Sequence, residues 1–176
     1  SAALFTEFYR LCLDGEAEFG HLGMSHGPGD VFAGAFADKP ATGARQIEHV
    51  CVDFRYSPDA RLDWGFDHHQ SAFMSASDEA HFRSAQHARH FYDPKAQSCS
   101  KFLADRCRTE FGFDTTGFAD LIAWADLIDG ARFASPTQAV MCSEPALQLM
   151  TWVEHNRDPA LKLRFIQDLR RRTLDE

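Results

Sequence analysis

An α/β fold is predicted, with a doubly wound, mainly parallel sheet, helices on both faces and further helices toward the C-terminus. Apolar, strand-like runs at 47–54 and 63–66, and a third candidate at 89–92, alternate with segments of helical spacing. Turn and cap residues at Asp14-Gly15, Ser57-Pro58-Asp59 and Asn156-Arg157-Asp158-Pro159 separate these runs. The 176 residues suit one compact domain with an appended helix. Residues 1–142 are assigned to that domain, and 143–176 to a helical extension or a linker to a further domain.

The first helix is predicted over 3–13, where Leu4, Phe5, Phe8, Leu11 and Cys12 fall at helical spacing before Asp14-Gly15 stops it. A short strand over 20–26 runs into the turn Gly27-Pro28-Gly29. Asp30 then caps a short helix, 31–38, which Lys39-Pro40 breaks. Residues 47–54, with Val50 and Val52 about a buried Cys51, form the clearest strand. The next strand, 63–66, delivers Asp67-His68-His69 at its carboxyl end. A helix over 78–87 and a strand over 89–92 follow. Pro94 opens a helix over 95–110. Thr115-Thr116 caps another over 117–129, Ser135-Pro136 starts the next segment, and 145–156 and 159–173 are the last two helices.

Charge and cysteine usage narrow the function. With 18 Lys and Arg against 26 Asp and Glu, the net charge is −8. Extended nucleic acid is bound by clustered cations that release counterions from phosphates, so an acidic chain argues against it and for a small phosphate-bearing substrate. The basic run Arg170-Arg171-Arg172 reads as a solvated helix end. Five cysteines without a CxxC pair indicate reduced thiols and a cytoplasmic setting. No apolar run approaches the ~20 residues of a membrane span, and the start has no basic signal-peptide region.

In parallel sheets ligands bind beyond the carboxyl ends of the strands. His26, Asp30, Asp53 and Asp67-His68-His69 fall at or near such ends, and Asp129 lies in Leu127-Ile128-Asp129-Gly130, after a helix. Carboxylate and imidazole groups without thiolate suit Mn, Fe or Mg. Two such ions about 3.5–4 Å apart would clamp the attacking and leaving oxygens of a phosphoryl transfer. A single Asp after a strand is ordinarily a turn residue; repetition across several strand ends is what carries weight. His81, His87 and His90 flank Arg89 in a helix-to-strand region, where His87-x-x-His90 has no acidic or thiol partner to complete a site, and His21 and His49 read as exposed or strand-flanking residues.

Trp64-Gly65-Phe66-Asp67-His68-His69-Gln70-Ser71 resembles the signature of the DHH phosphoesterases, a strand ending in Asp-His-His. Val50-Cys51-Val52-Asp53-Phe54 resembles the family's second motif, and Ser25-His26-Gly27-Pro28-Gly29-Asp30 its first, His-x-x-x-Asp-x-Asp. Asp129-Gly-Ala-Arg-Phe-Ala-Ser-Pro-Thr137 is similar to the fourth, and Ala96-Gln97-Ser98-Cys99 to the small polar segment that opens a helix after the DHH strand. The four motifs stand in the family's order across residues 20–140. The resemblance implies a metal-dependent phosphoesterase using one or two Mn2+ or Mg2+ ions. His26 and Asp30 would bind one ion, Asp53 would bridge, and His68 and Asp129 would bind the other. His69 would face the substrate phosphate, Asp67 would orient a neighbouring imidazole, and Arg132 would neutralise phosphoryl charge. Water activated by the ions would attack phosphorus on an oligonucleotide, a nucleotide phosphate or polyphosphate.

Two departures from the family pattern stand out. Phe32 occupies the position of the first motif's second Asp, and nothing after residue 140 resembles the family's C-terminal substrate domain. They motivate a second reading, a degenerate, non-catalytic domain that binds a nucleotide, a metal or a protein. A third reading is a homo-oligomer joined through 145–173.

Overall fold

The computed structural model describes residues 1–25, 27, 31–40, 46–84 and 88–169. It is a mixed α/β structure with a three-stranded parallel sheet and, among the described residues, seven α-helices. Two compact units are formed: Ser1–His21 with the described chain from Ser100 onward, and Leu22–Cys99. Among the described residues, no helix is long and apolar enough to cross a membrane.

The Leu22–Cys99 unit holds the sheet. Its strands are β1 (His49–Val52), β2 (Leu62–Asp67) and β3 (His90–Tyr92), all parallel and in the spatial order β1-β2-β3. Val50 and Val52 favour the extended backbone of β1. Leu62, Trp64, Phe66 and Asp67 of β2 are buried, as befits a central strand. Phe66 stacks on Phe91 of β3 at 4.8 Å between ring centroids. At the amino ends, Glu48 accepts hydrogen bonds from Trp64 Nε1 (2.9 Å) and Arg89 NH1 (2.7 Å), and Arg89 lies over the Trp64 ring. Between β2 and β3 runs helix α2 (Ala76–Ser84), whereas 53–61 joins β1 to β2 without a helix. That connection departs from a regular strand–helix–strand repeat.

Beneath β1, Cys51, Phe54 and Leu62 form an apolar cluster, with Met24, Val31, Phe32 and Phe36 packed on it. Residues 31–36 there form turns, not the expected helix. Gly34 adopts φ +72, which breaks a right-handed helix, and Ala35 N donates to Phe32 O at 2.9 Å as in an isolated turn. The strand expected over 20–26 is also not formed at its described residues. Gly20 and Gly23 leave that segment with little β propensity.

The other unit is helical: α1 (Ala2–Cys12), α3 (Cys99–Phe111), a 3-10 turn (Thr116–Phe118), α4 (Ala119–Asp129), α5 (Pro136–Met141), α6 (Pro145–His155) and α7 (Pro159–Asp168). Phe8 of α1 meets Phe111 at 5.2 Å and Phe113 at 5.7 Å, and Leu103, Cys107 and Leu147 are fully buried. The helix expected from 95 begins instead at Cys99, because Asp93 gathers 94–96 into a turn. Thr115 makes no side-chain cap; Asp114 Oδ1 takes the Thr116 N–H instead, at 2.9 Å. Ser135-Pro136 starts α5, and the Ser135 side chain caps it by accepting from Gln138 N. All five cysteines are free thiols.

Candidate metal centre

Parallel pairing brings the carboxyl ends of all three strands to one edge of the sheet, and each strand ends in an aspartate. Asp53 follows β1, Asp67 is the last residue of β2, and Asp93 follows β3. Backbone bonds keep the three in step: Asp53 N donates to Phe66 O at 2.8 Å, and Asp93 N to Asp67 O at 3.2 Å. Asp53 lies at φ +61, a left-handed conformation that Asp adopts more readily than bulkier residues. Such conformations cluster where local geometry serves a site.

Asp67 is buried, with 6 % of its surface exposed, and its Oδ1 ties the Asp-His-His turn together. It accepts from His68 N at 2.8 Å, His69 N at 3.2 Å and the His69 ring Nδ1 at 2.6 Å. An ionised carboxylate only accepts, so His69 carries its proton on Nδ1 and presents Nε2 elsewhere. His68 is held the same way by another group. Its Nδ1 lies 3.0 Å from the carbonyl of Ala96, which also only accepts, so that Nδ1–H donates. His68 Nε2 then faces Asp53 Oδ1 at 3.5 Å. Ligand-capable atoms of Asp53, His68 and His69 all lie within 4.8 Å of one another. The His68 side chain is 9 % exposed, whereas those of Asp53 and His69 are each 40 % exposed. The group is thus anchored from below and open to solvent above.

This arrangement fits a divalent cation. Fixing the far nitrogen of each imidazole on an acceptor is the usual way a protein orients a histidine ligand and raises its basicity. The local field is negative as well: burial first, and then Asp67 and Asp53, push the Cys51 thiol up to about 12.

Phe32, at the first motif's second Asp position, belongs to the apolar cluster. It stacks on Phe36 at 5.6 Å and meets the edge of Phe54 at 5.7 Å. His26 and Asp30 lie outside the described residues, as do His87 and the Arg170-Arg171-Arg172 run. Asp129 is the exposed last residue of α4, in the helical unit. Arg132, in the same unit, is engaged by Asp126, bonding to both its carboxylate and its carbonyl. Asp93 is not among the residues the sequence pattern singles out, although an Asp at the end of a strand is the same signal that marks Asp53 and Asp67.

Compared with known proteins, the chain matches no family model, no curated protein and no solved structure.

Proposed function

We propose that this chain is a divalent-metal-dependent phosphoesterase of the DHH type, hydrolysing a small or short-chain phosphate compound at the carboxyl edge of its sheet. One observation carries the reading: Asp53, His68 and His69 converge, with Ala96 and Asp67 holding the far nitrogens of the two rings. The ordered DHH-like motifs support it from the sequence. They support equally a doubly wound arrangement in which β1-β2-β3 is the part that bears the site.

An imidazole ligand beside a carboxylate favours Mn2+ or Fe2+ over Mg2+, which is better served by all-oxygen surroundings. A bound ion would supply Lewis-acid charge for a phosphoryl oxygen and make a coordinated water more acidic. In this proposal Asp53 and His68 hold the cation. His69, more exposed and backed by the Asp67 carboxylate, meets the phosphoryl oxygen, and its Nε2 can carry a proton there because Asp67 stabilises the imidazolium. The net charge of −8 favours a compact substrate that reaches the site through the cation over a long nucleic-acid backbone.

Phe32 favours a single tightly held ion, since a half-buried apolar ring packed against the core cluster offers no ligand. The same observation supports a second reading, a cation-binding domain without turnover. Calorimetry with Mn2+ and hydrolysis of bis-p-nitrophenyl phosphate separate the two. The enzyme reading expects one Mn2+ per chain and Mn2+-dependent turnover, both lost in Asp53→Ala. Binding without turnover under Mn2+, Mg2+ or Co2+ selects the second reading, and absence of binding sinks both.

A further inference from the structure

We propose that Asp93 is a positioning residue for the metal centre, acting on His68 through the backbone of the turn that follows β3. The inference rests on the metal-binding reading above and adds a residue that reading does not use.

Asp93 is the third strand-terminal aspartate of the sheet edge, yet it is not one of the converging ligands. Its side chain turns back on its own backbone: Oδ1 accepts from Lys95 N at 2.9 Å, and its carbonyl accepts from Ala96 N at 3.1 Å. Such a turn is the characteristic use of an Asp side chain before a proline. Its amide is tied to the carbonyl of Asp67 at 3.2 Å, so the turn is registered directly to the Asp-His-His strand. The product of this bonding is the placement of one carbonyl, that of Ala96, which receives His68 Nδ1–H at 3.0 Å. With Nδ1 so engaged, Nε2 is the nitrogen that faces Asp53. A neutral histidine in water favours the opposite tautomer, with the proton on Nε2. Without the Ala96 carbonyl in place, His68 would therefore tend to carry its proton where the cation should bind. Asp93 thereby sets the ring's tautomer from three residues away from the carbonyl it controls.

The tests separate turn geometry from charge. Asp93→Asn keeps the Oδ1 acceptor and loses the charge; Asp93→Glu keeps the charge and misplaces the acceptor by one methylene; Asp93→Ala removes both. In metal-free, 15N-labelled protein above the titration range of the rings, His68 should show the Nδ1–H tautomer in wild type and Asp93→Asn. In Asp93→Glu and Asp93→Ala it should shift toward the Nε2–H form. Mn2+ affinity by calorimetry should fall about 10- to 100-fold in the Glu and Ala variants and stay close to wild type in Asn. Should Asp93→Ala fail to fold, the Asn and Glu pair still decides. A wild-type tautomer and affinity in Asp93→Glu, or an Asn variant as impaired as Ala, overturns the proposal. If wild type itself binds no Mn2+, the metal-binding reading fails, while the tautomer comparison still judges the role of Asp93.

Discussion

Replacing Asp67 by Asn is the sharpest test of how the Asp-His-His turn is held, because it changes charge with almost no change of shape. Asp67 Oδ1 takes three donors, the amides of His68 and His69 and the His69 ring. An Asn carbonyl in the same place can still accept all three, but the 2.6 Å bond to His69 loses its charge assistance. The difference between charged and neutral hydrogen bonds sets that loss at about 1 kcal/mol. The new amide group takes the place of Oδ2, which is buried and has no hydrogen-bond partner among the described residues. A buried donor left unpaired costs a further ~1–3 kcal/mol. The sum, about 2–4 kcal/mol, is a large share of the ~5–15 kcal/mol that holds a typical protein folded. Urea denaturation followed by far-UV circular dichroism should show the midpoint falling with the slope unchanged. Mn2+ affinity should drop about 10- to 100-fold in the folded variant, because a carboxylate charge close to the cation is removed. Wild-type stability together with wild-type affinity in Asp67→Asn would refute the reasoning.

Four further outcomes are expected. His68→Ala should abolish measurable Mn2+ binding in calorimetry, whereas His69→Ala should weaken it less and lower turnover of bis-p-nitrophenyl phosphate about 10²- to 10⁴-fold; the reverse order would reassign the two rings. The Cys107 thiol, pushed up to about 12 by burial and then by Cys12 and Glu110, has only about one molecule in ten thousand as thiolate at pH 8. An aromatic disulfide reagent should therefore label Cys12 and Cys142 in the native state and reach Cys51, Cys99 and Cys107 only in denaturant. The Asp59 carboxyl is held down to about 2 by hydrogen bonds from the Arg61 guanidinium and then the Arg61 amide. Because its folded value is depressed, its contribution is present above the ordinary value near 4 and is lost as pH falls toward 2; a carbonyl NMR midpoint near 4 would contradict this. Phe32→Asp should cost about 1–2 kcal/mol in denaturation, by removing half-buried apolar contact and placing a carboxylate against apolar side chains. It should not create a second Mn2+ site, and calorimetry showing two similar sites would overturn that expectation.

The parts of this architecture that could be read from sequence are those written in short patterns. Val50 and Val52 flank Cys51 in a β-branched run, and that run is β1. Asp67 ends β2 because its carboxylate takes the amides of His68 and His69, which turns the chain off the strand. The misreadings have physical causes. At 31–38, a cap at Asp30 and a breaker at Lys39-Pro40 bound a short helix in the sequence, but Gly34 takes φ +72 as the chain turns over the apolar cluster. At 94–97, Pro94 reads as a helix start by itself, but the Asp93 side chain competes for the same backbone N–H groups and delays the helix to Cys99. Least legible of all is the bond from His68 to Ala96, because nothing in the sequence links two residues that only strand pairing brings together.

The three strand-terminal aspartates show why motif matching alone assigns too little. Asp53, Asp67 and Asp93 all stand at the carboxyl ends of adjacent parallel strands, Asp93 one residue beyond the level of the other two, and their surroundings give them different work. Asp53 is open to solvent and turned by a left-handed backbone toward His68, so its charge is available to a cation. Asp67 is buried and spends one oxygen on three N–H groups, so its charge is committed to holding the turn and the His69 ring. Asp93 is committed to its own turn, and its influence leaves that turn through a neighbour's carbonyl. The roles follow from which donors each carboxylate meets, and not from its residue type or its place on the strand. Exchanging charge for shape at each of the three should accordingly give three different phenotypes: loss of the cation at Asp53, loss of stability and affinity together at Asp67, and near-silence at Asp93.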